Sequence, residues 1–533
     1  MSVPALQASG YSSHNRAISR PQSARDIDWS AIEALGITRL VSDSRQVAPG
    51  DTFVAYPGEA LDGRKFITDA IARGAGSVLW ERRSYTWRAE WRVKNAAVEN
   101  LRVHAGEIAS EVYGRPSARL WTVGVTGTNG KTSCSHWIAQ SLTRLERKCG
   151  IVGTLGSGWP GKLEPLVNTT PDAVWLQGRL REFVRTRAQA LSMEVSSHGL
   201  AQGRVSGVEF DVALFTNLTR DHLDYHGTMR GYRKAKAELF RSPGLKSAVL
   251  NLDDAFGASL VEPTQRRGAA VLGYGFNRAL PSALRGARVP RVIASRLRMG
   301  ADALAFDVST PWGRATIESR LIGRFNAANL LATLAALLAS DESLQDAVEA
   351  LQSAKPVPGR TERYGGGRRP LVVVDYAHTP DALENVLRAL RELMMSPEQQ
   401  QRPSRVKGRS VPAYRTPKLV CVFGCGGDRD RGKRPLMGRI ASRLADEIIV
   451  TSDNPRSEDP HAIITGILEG ITGPCAIAPD RTQAIRAAIS GAHAGDIVLV
   501  AGKGHEQYQE IAGIKHPYSD AAAVRRALEE LAA

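Results

Sequence analysis

Residues 124–132 read Gly-Val-Thr-Gly-Thr-Asn-Gly-Lys-Thr, and this stretch decides the fold class. The apolar run at residues 120–123 precedes it and predicts a buried strand. A helical pattern follows, in which Ile138, Leu142 and Leu145 are spaced to share one face. A strand, a glycine turn and Gly-Lys-Thr at the start of a helix form the arrangement that binds nucleotide phosphates. The stretch therefore predicts a nucleotide-binding α/β domain.

The residues of this loop suggest separate roles in nucleotide binding. Its glycines allow backbone N–H groups to point at an anion. We expect Lys131 to reach the β- and γ-phosphates and the Thr132 hydroxyl to hold Mg²⁺. The strict Walker pattern places glycine at position 125, where this chain has Val125, so Gly124 comes one residue early and the loop is a variant. The alternative is a glycine turn that binds no nucleotide.

Length and cysteine usage limit the class of protein. The 533 residues suffice for about three domains. The longest apolar run, residues 330–339, is shorter than the roughly 18 residues that cross a bilayer, so we expect no membrane insertion. The first thirty residues lack the apolar core of a secretory signal. The five cysteines show no spacing typical of zinc ligands, which fits free thiols in a reducing cytoplasm.

The basic charge of the chain is unevenly distributed. Lys and Arg number 70 against 54 Asp and Glu, a net charge of +16. Residues 1–25 carry +3 and residues 396–418 carry +5, which is half of the excess. Both segments are rich in Ser, Pro or Gln, which predicts a disordered tail and a flexible surface insertion. The remaining charge fits an enzyme with anionic substrates, and we expect no nucleic-acid partner.

Two Pro- and Gly-containing breaks divide the chain. One lies at residues 114–117 and the other at residues 355–359. They predict domains over residues 26–116, 117–357 and 358–533. Between them, residues 326–351 form a helical pattern.

The last third contains four short apolar runs, each followed by a polar cluster. The runs are residues 371–374, 419–423, 448–450 and 497–500, and alternating helical patterns predict that they are parallel strands. Ligands of open parallel sheets bind beyond the carboxyl ends of the strands. The clusters at residues 375–378, 424–431, 452–456 and 502–506 are therefore expected to form one site.

Two further clusters follow strand-like runs in the middle third. Glu194 lies in Ser-Met-Glu-Val-Ser-Ser-His at residues 192–198, and His222 lies in a stretch that follows the apolar residues 212–215. Mg²⁺ prefers oxygen ligands and is often held by one or two carboxylates with phosphate oxygens, which suits Glu194. An imidazole could complete a second metal site, but a lone His222 could equally be a structural residue.

Taken in order, these motifs resemble those of the Mur ligases, the ATP-dependent peptide-bond-forming enzymes of peptidoglycan synthesis. The resemblance extends from about residue 40 to the C-terminus. It is carried by residues 43–45, 49–55, 62–64, 126–132, 168–171, 194–198, 221–224, 375–381, 424–435, 453–456 and 502–506.

The resemblance implies a three-domain α/β architecture. An N-terminal UDP-binding domain precedes a central domain with a P-loop ATPase-like parallel sheet and a C-terminal Rossmann-like domain. The implied activity is that of an ADP-forming acid–amino-acid ligase, which adds meso-2,6-diaminopimelate to UDP-N-acetylmuramoyl-L-alanyl-D-glutamate through an acyl phosphate. ATP is a substrate and Mg²⁺ the cofactor. The enzyme is expected to be a cytoplasmic monomer that serves cell-wall synthesis, cell shape and cell division.

The resemblance also implies roles for individual residues. The expected ATP contacts are Gly127, Thr128, Asn129, Gly130, Lys131, Thr132, Ser133, Asn326, Arg360 and Asp375, with Asn329 near the adenine. The expected contacts of the UDP-linked dipeptide are Ser42, Ser44, Glu59, Ala60, Leu61, Asn168, Thr169, Thr170, Ser196, Gln202 and Arg204. The expected amino-acid contacts are Arg429, Asp453, Asn454, Pro455, Arg456, Gly502 and Glu506.

Lys131, Glu194, His222 and Lys236 are the implied catalytic residues. Thr132, Glu194, His222 and a carbamylated Lys236 are the implied metal ligands. Carbamylation converts the lysine ammonium into an anion that can bind a metal. Without the resemblance, Lys236 is best interpreted as a solvated helix lysine, and its neighbour Lys234 competes for the role.

The amino-acid pocket decides which residue is added. Asp453-Asn454-Pro455-Arg456 is the form that the family shows in diaminopimelate-adding enzymes. Arg456 can hold the distal carboxylate of that substrate through two parallel hydrogen bonds, whereas lysine has no such carboxylate. Arg456 could instead form only a surface salt bridge. Three alternative functions stay open: a lysine-adding ligase, a folylpolyglutamate synthetase and a P-loop ATPase stimulated by nucleic acid.

Overall fold

The computed structural model describes residues 27–59, 61–300, 303–395 and 415–531. Within these ranges, three α/β units follow one another along the chain, each with its own sheet. The predicted disordered tail at residues 1–25, Ala60 and most of the predicted insertion lie outside the described residues. Residues 415–418 are described and are fixed to the C-terminal sheet, since Arg415 Nη1 lies 2.7 and 2.8 Å from the two carboxylate oxygens of Asp496.

The N-terminal unit has a four-stranded parallel sheet in the order β1-β2-β3-β4. Val54, Leu79 and Ile108 are buried between this sheet and the helices on one face. The elements are β1 Leu40–Val41, β2 Thr52–Ala55, β3 Ser77–Glu81, β4 Lys94–Val98, α1 Trp29–Glu33, α2 Ile67–Ala72 and α3 Leu101–Val112.

The central unit has an 11-stranded sheet among the described residues, in the order β15-β14-β13-β12-β11-β10-β5-β9-β6-β7-β8. The seven neighbouring strands β13-β12-β11-β10-β5-β9-β6 pair in parallel. Antiparallel pairing adds β14 and β15 at one edge and β7 and β8 at the other. The strands are β5 Trp121–Thr126, β6 Cys149–Gly153, β7 Gly156–Trp159, β8 Lys162–Glu164, β9 Ala190–Glu194, β10 Val212–Phe215, β11 Ser247–Asn251, β12 Ala270–Gly275, β13 Arg291–Met299, β14 Leu304–Thr310 and β15 Gly313–Ser319.

Helices cover both faces of this central sheet. Trp137 and Leu330 are buried on one face, and Phe183 and Leu239 are buried on the other. The helices are α4 Lys131–Arg144, α5 Ala173–Arg185, α6 Ser197–Ala201, α7 Leu223–His226, α8 Met229–Ala237, α9 Ala255–Gln265, α10 Arg324–Leu338 and α11 Leu344–Gln352.

The C-terminal unit has a six-stranded sheet in the order β16-β17-β21-β18-β19-β20 among the described residues, with β16 antiparallel. A separate hairpin, β22–β23, follows β21. The strands are β16 Glu362–Gly365, β17 Leu371–Asp375, β18 Leu419–Phe423, β19 Glu447–Val450, β20 Ala476–Ile477, β21 Ile497–Ala501, β22 Tyr508–Ile511 and β23 Ile514–Pro517. The helices are α12 Pro380–Met394, α13 Lys433–Leu444, α14 Pro460–Leu468, α15 Arg481–Gly491 and α16 Asp520–Glu530.

The strands expected from the apolar runs are present, and the α/β fold class is confirmed. The helical pattern at residues 326–351 is two helices rather than one, because the chain turns between α10 and α11. Asp341 has φ +66° in this turn. The side chain of Ser343 then caps α11 by accepting from Asp346 N. The domain boundaries stay a prediction, although the three sheets fall within the three proposed ranges.

Candidate active site

The phosphate loop lies between β5 and α4, and two of its glycines have no room for a side chain. Gly127 has φ +150°, and an added Cβ would lie 1.8 Å from Thr216 Oγ1. Gly130 has φ +85°, and its Cβ would lie 2.3 Å from Asn329 Oδ1. Gly124 belongs to β5, where an added Cβ would lie 2.7 Å from the Phe210 ring. Gly124 is therefore a packing glycine within β5, and the loop begins at Gly127.

Lys131 is the first residue of α4, and its ammonium points back over the loop. Its Nζ donates to the carbonyl oxygens of Gly127 and Thr128, both at 2.9 Å. Burial lowers the pKa of Lys131 despite the opposing charges of Glu194 and Asp221. A cation and the start of a 14-residue helix are thus placed together, as binding of a phosphate chain requires.

Thr132 and Glu194 form a pair of hard oxygen donors at the carboxyl ends of β5 and β9. Thr132 Oγ1 donates to Glu194 Oε2 at 2.9 Å, and Thr154 N donates to Glu194 Oε1 at 2.7 Å. An added Cβ at Gly153 would lie 2.3 Å from Glu194 Oε1, so glycine provides the space for this carboxylate. A hydroxyl and a carboxylate beside a phosphate loop are the donors that Mg²⁺ uses, so these residues fit that ion.

Lys236 and His222 line the same cleft, but they do not belong to a preformed set of metal-binding side chains. Lys236 is 1% exposed, and its Nζ donates to Gly127 O at 2.7 Å. Burial, with Lys131 nearby, holds the pKa of Lys236 well below its usual value, and burial lowers that of His222 to about 3. Among the described residues, no group of three or more His, Cys, Asp or Glu side chains could hold a metal ion. A Mg²⁺ site that draws most ligands from phosphate and water needs no such group.

Residues of the central and C-terminal units line one cleft of about 360 Å³. The phosphate loop contributes Lys131, the end of β9 contributes Glu194, and the loop after β19 contributes Arg456. Direct contacts join the two units around it. Arg360 Nη2 donates to Thr132 Oγ1 at 2.9 Å, and the Arg220 guanidinium binds both oxygens of Asp430, at 2.8 and 3.0 Å. The central and C-terminal units are thus in direct contact beside the cleft.

The C-terminal wall of the cleft is polar and carries both positively and negatively charged side chains. Arg429, Arg456, Glu506 and Tyr508 line it. Arg456 has φ +52°, which is unusual for a residue with a side chain, and hairpin β22–β23 fixes its backbone. Arg456 N donates to Glu510 O at 3.0 Å, and Ala512 N donates to Arg456 O at 2.7 Å. The wall can therefore receive a molecule with both a carboxylate and an ammonium group.

A second, larger cavity of about 1140 Å³ lies between the N-terminal and central units. Val167, Asn168 and Arg204 line both cavities, so the two adjoin at these residues. Ser42 Oγ donates to Asp172 Oδ1 at 3.0 Å and links the two units at this wall. The predicted residues on this cavity are Ser42, Glu59, Asn168, Gln202 and Arg204.

Several predicted site residues do not line either cavity. Thr170 lies behind the wall, where its hydroxyl donates to Glu194 O at 3.0 Å. Asn326 donates to Ile322 O at 2.9 Å, and Asp375 accepts from Thr361 N at 2.7 Å. The other predicted residues outside the two linings are Ser44, Leu61, Gly127, Ser133, Asn329, Asp453, Asn454, Pro455 and Gly502. Ala60 lies outside the described residues.

Gly502 illustrates an indirect role. It has φ +117°, and an added Cβ would lie 2.5 Å from Asp453 Oδ2. Glycine is needed here because the Asp453 carboxylate packs against its backbone, so Gly502 supports the site rather than lining it.

The structure adds residues that the sequence reasoning did not assign. The large cavity has a wall rich in arginine, which suits an anionic group such as a diphosphate. Its additional arginines are Arg39, Arg102, Arg179, Arg181 and Arg185. In the smaller cleft, His198, Asp221, Tyr376, His378 and Tyr508 are additional lining residues. His198, Asp221, Tyr376 and His378 belong to polar clusters that follow strands, so the sequence did contain a signal for these four.

Burial of Asp375 leads to a prediction about stability. Desolvation raises the pKa of Asp375 to about 6, above the value of an unfolded aspartate, so ionisation of this group opposes folding as pH rises through that range. We expect Asp375→Asn to increase the free energy of unfolding in urea more at pH 8 than at pH 5, by roughly 1–2 kcal/mol. An increase of the same size at both pH values would contradict this origin.

Comparisons with known proteins agree with this geometry. The chain matches three family models: "Mur ligase family, catalytic domain" over residues 36–113, "Mur ligase middle domain" over 125–337, and "Mur ligase, glutamate ligase domain" over 409–504. A relative from Nitrosomonas europaea is 50% identical over 93% of this chain and 94% of its own. One from Chromobacterium violaceum is 49% identical over 96% and 98%.

Both relatives are named UDP-N-acetylmuramoyl-L-alanyl-D-glutamate--2,6-diaminopimelate ligase. A solved structure with the same name is 36% identical, covers 93% of this chain and 96% of its own, and has a TM-score of 0.63.

A phosphate loop, a carboxylate beside it and a polar pocket supplied by a following domain define a three-domain P-loop ligase. The chain belongs to the Mur ligase family.

Proposed function

We propose that this protein is an ATP-dependent ligase that joins meso-2,6-diaminopimelate to UDP-N-acetylmuramoyl-L-alanyl-D-glutamate in peptidoglycan synthesis. One observation carries the proposal: Lys131, Glu194 and Arg456, from two domains, line a single cleft. That cleft adjoins the arginine-rich cavity between the N-terminal and central units. A triphosphate, a nucleotide-linked acid and an amino acid can therefore meet without leaving the protein.

ATP binding is assigned to the phosphate loop. Lys131 and the N-terminus of α4 would hold the β- and γ-phosphates, and Arg360 would reach them from the C-terminal side. Thr132 and Glu194 would hold Mg²⁺, which when bound neutralises charge on the phosphate oxygens. The arginine-rich cavity would hold the UDP-linked dipeptide, with Asn168 and Arg204 at its junction with the cleft.

The reaction proceeds in two steps within this arrangement. An oxygen of the free D-glutamate side-chain carboxylate attacks the γ-phosphorus, which gives ADP and an acyl phosphate. The neutral amine of diaminopimelate attacks the acyl carbon, the amide C–N bond forms, and the C–O bond to phosphate breaks. The amine gives up a proton, and inorganic phosphate leaves. Closure of the two units, seen in the Arg220–Asp430 contact, limits hydrolysis of the acyl phosphate.

Selection of diaminopimelate is assigned to the C-terminal wall. Arg456 would bind the distal carboxylate through two hydrogen bonds, with Arg429 adding positive charge. Glu506 would bind the distal ammonium. This division of charges fits a substrate that carries a carboxylate and an ammonium at the same end, and it disfavours lysine.

Lys236 is assigned the role of a carbamylated metal ligand, rather than the solvated helix lysine that its sequence alone suggests. Its amine is buried on the lining of the cleft beside Gly127, while Lys234 on the same helix is exposed. In the carbamylation of Lys236, the neutral amine attacks CO₂, a C–N bond forms, and a proton is released. The product is a carbamate anion within the phosphate-binding region, where it can act as a metal ligand together with Glu194 and His222.

The cellular setting follows from the substrates. We place the reaction in the cytoplasm, where ATP is available and where the five cysteines, all free in the structure, stay reduced. No helix among the described residues is long and apolar enough to span a bilayer. We propose that the enzyme acts as a monomer.

A phosphate-release assay with the UDP-linked dipeptide and ATP tests the proposal. We expect release to depend on meso-diaminopimelate and to be far slower with L-lysine, because Arg456 has no carboxylate to bind in that case. Preference for L-lysine would make the protein a lysine-adding ligase. Release that depends on folate and glutamate, or that nucleic acid stimulates without the dipeptide, would support the other two alternatives and overturn the proposal.

A further inference from the structure

The loop after β21 contains a lysine that is completely buried next to the amino-acid wall. Lys503 has 0% of its surface exposed and does not line the cleft. Its Nζ donates to Glu506 Oε2 and to Asn454 Oδ1, both at 2.9 Å, and lies 4.0 Å from Asp453 Oδ1. A buried ammonium is costly unless charged partners compensate it, and here carboxylates from two loops do so.

These contacts are concentrated on one oxygen of Glu506. Asn454 Nδ2 also donates to Glu506 Oε2, at 2.8 Å, so a cation and an amide hold the same atom. The other oxygen, Oε1, has the Tyr376 hydroxyl 3.5 Å away. Because Glu506 itself lines the cleft, this arrangement fixes the carboxylate with Oε1 available to a substrate cation.

The same lysine joins two loops of the C-terminal unit. Asn454 and Asp453 follow β19, whereas Glu506 follows β21. Asn454 Oδ1 also accepts from Glu510 N at 2.9 Å, so Lys503 is connected through Asn454 to the hairpin that positions Arg456. Displacement of Lys503 would therefore affect the site for the substrate ammonium more than the phosphate loop.

We infer that Lys503 is a positioning residue for amino-acid recognition: it orients the Glu506 carboxylate, together with Asn454, to bind the distal ammonium of the incoming amino acid. The inference rests on the proposed function and deepens it. Lys503 touches no substrate and acts only through Glu506 and Asn454.

The test is the steady-state kinetics of full-length Lys503→Met, which removes the charge at similar length. We expect the KM for diaminopimelate to rise about ten- to a hundred-fold, as expected for loss of a charged hydrogen bond. The KM values for ATP and for the UDP-linked dipeptide should change by no more than about threefold. Lys162→Met is the matched control, because Lys162 is an exposed lysine on β8 that lines neither cavity. An unchanged KM for diaminopimelate, or an equal rise in all three KM values, would overturn the inference.

A double-mutant cycle separates positioning from general support of the fold. If Lys503 acts through Glu506, then Lys503→Met should raise the KM for diaminopimelate much less in a Glu506→Gln background than in the wild type. Fully additive effects would contradict this mechanism. Lys503→Gln, which keeps an N–H donor, provides a second variant if Lys503→Met does not fold, and the same split between KM values is expected with a smaller rise.

The wild-type enzyme distinguishes failure of the inference from failure of the proposed function. Absence of diaminopimelate-dependent phosphate release by the wild type would overturn both. A wild type that uses diaminopimelate, together with a Lys503→Met variant of unchanged KM, would overturn only the inference.

Discussion

Lys131→Ala should reduce ligation by at least about a hundred- to a thousand-fold, the loss typical of removing one preorganised group that stabilises transition-state charge. The Lys131 ammonium lies over the phosphate loop, on the carbonyls of Gly127 and Thr128. The helix N-terminus that remains cannot supply its full positive charge. Phosphate release in the presence of all three substrates measures the effect, and the decrease should be mainly in kcat.

The fold of this variant should persist. Burial lowers the pKa of Lys131, which means that the charged form is held at a cost that alanine removes. Far-ultraviolet circular dichroism and thermal melting should therefore match the wild type. Lys162→Ala is a suitable control, since Lys162 is an exposed lysine on β8 of the same domain. Activity within a few-fold of the wild type in Lys131→Ala would show that this loop does not hold the transferred phosphate.

Arg456→Ala should raise the KM for diaminopimelate about ten- to a hundred-fold, because a bidentate hydrogen bond to a charged group contributes roughly 1.5–3 kcal/mol. The KM for ATP should change much less, since Arg456 lies on the C-terminal wall of the cleft. The guanidinium is already fixed, with Nη1 donating to Gly427 O at 2.7 Å and Nε 3.5 Å from Glu510 Oε2. Its loss therefore removes an ordered contact rather than a mobile side chain.

Selectivity gives a second measure of the same variant. With Arg456 removed, the ratio of kcat/KM for diaminopimelate to that for L-lysine should fall toward one, because the distal carboxylate no longer contributes to binding. Arg439→Ala is the control, since Arg439 is exposed on α13. Equal increases in the KM values for ATP and diaminopimelate would remove Arg456 from the specificity site and leave it as a structural residue.

Local sequence patterns predicted the framework of the site. The strand before the phosphate loop is β5, and the four apolar runs of the last third are β17, β18, β19 and β21. Alternation of such runs with helical patterns requires a parallel sheet, and in a parallel sheet the polar clusters after each strand gather at one edge. For this reason Glu194 and His222 could be placed at strand ends beside the phosphate loop, and the clusters that contain Arg429, Arg456 and Glu506 at one edge of the C-terminal sheet. That these two edges share one cleft was implied by the family resemblance.

Patterns alone were less reliable where packing decides the role of a residue. Gly124 stands one residue before the loop glycine of the strict Walker pattern, and the Phe210 ring beside it shows that it is a packing residue. Gly502 matches a pocket residue, yet its function is to make space for Asp453. In both cases the sequence marks that a glycine is needed, and only the neighbouring atoms show why.

Sequence by itself determined the α/β class, the order of the three units, the phosphate loop and the carboxylates and histidines at strand ends, because each depends on residues close together in the chain. Tertiary structure alone decided the arginine-rich wall and the placement of Lys503 against Glu506 and Asn454. Arg39 directly precedes β1, and Arg102 and Arg179 lie on α3 and α5, with no common spacing in the sequence. A buried lysine cannot be distinguished from an exposed one by residue type alone. Such residues acquire their roles from burial and from the direction of side chains, which are properties of the folded chain.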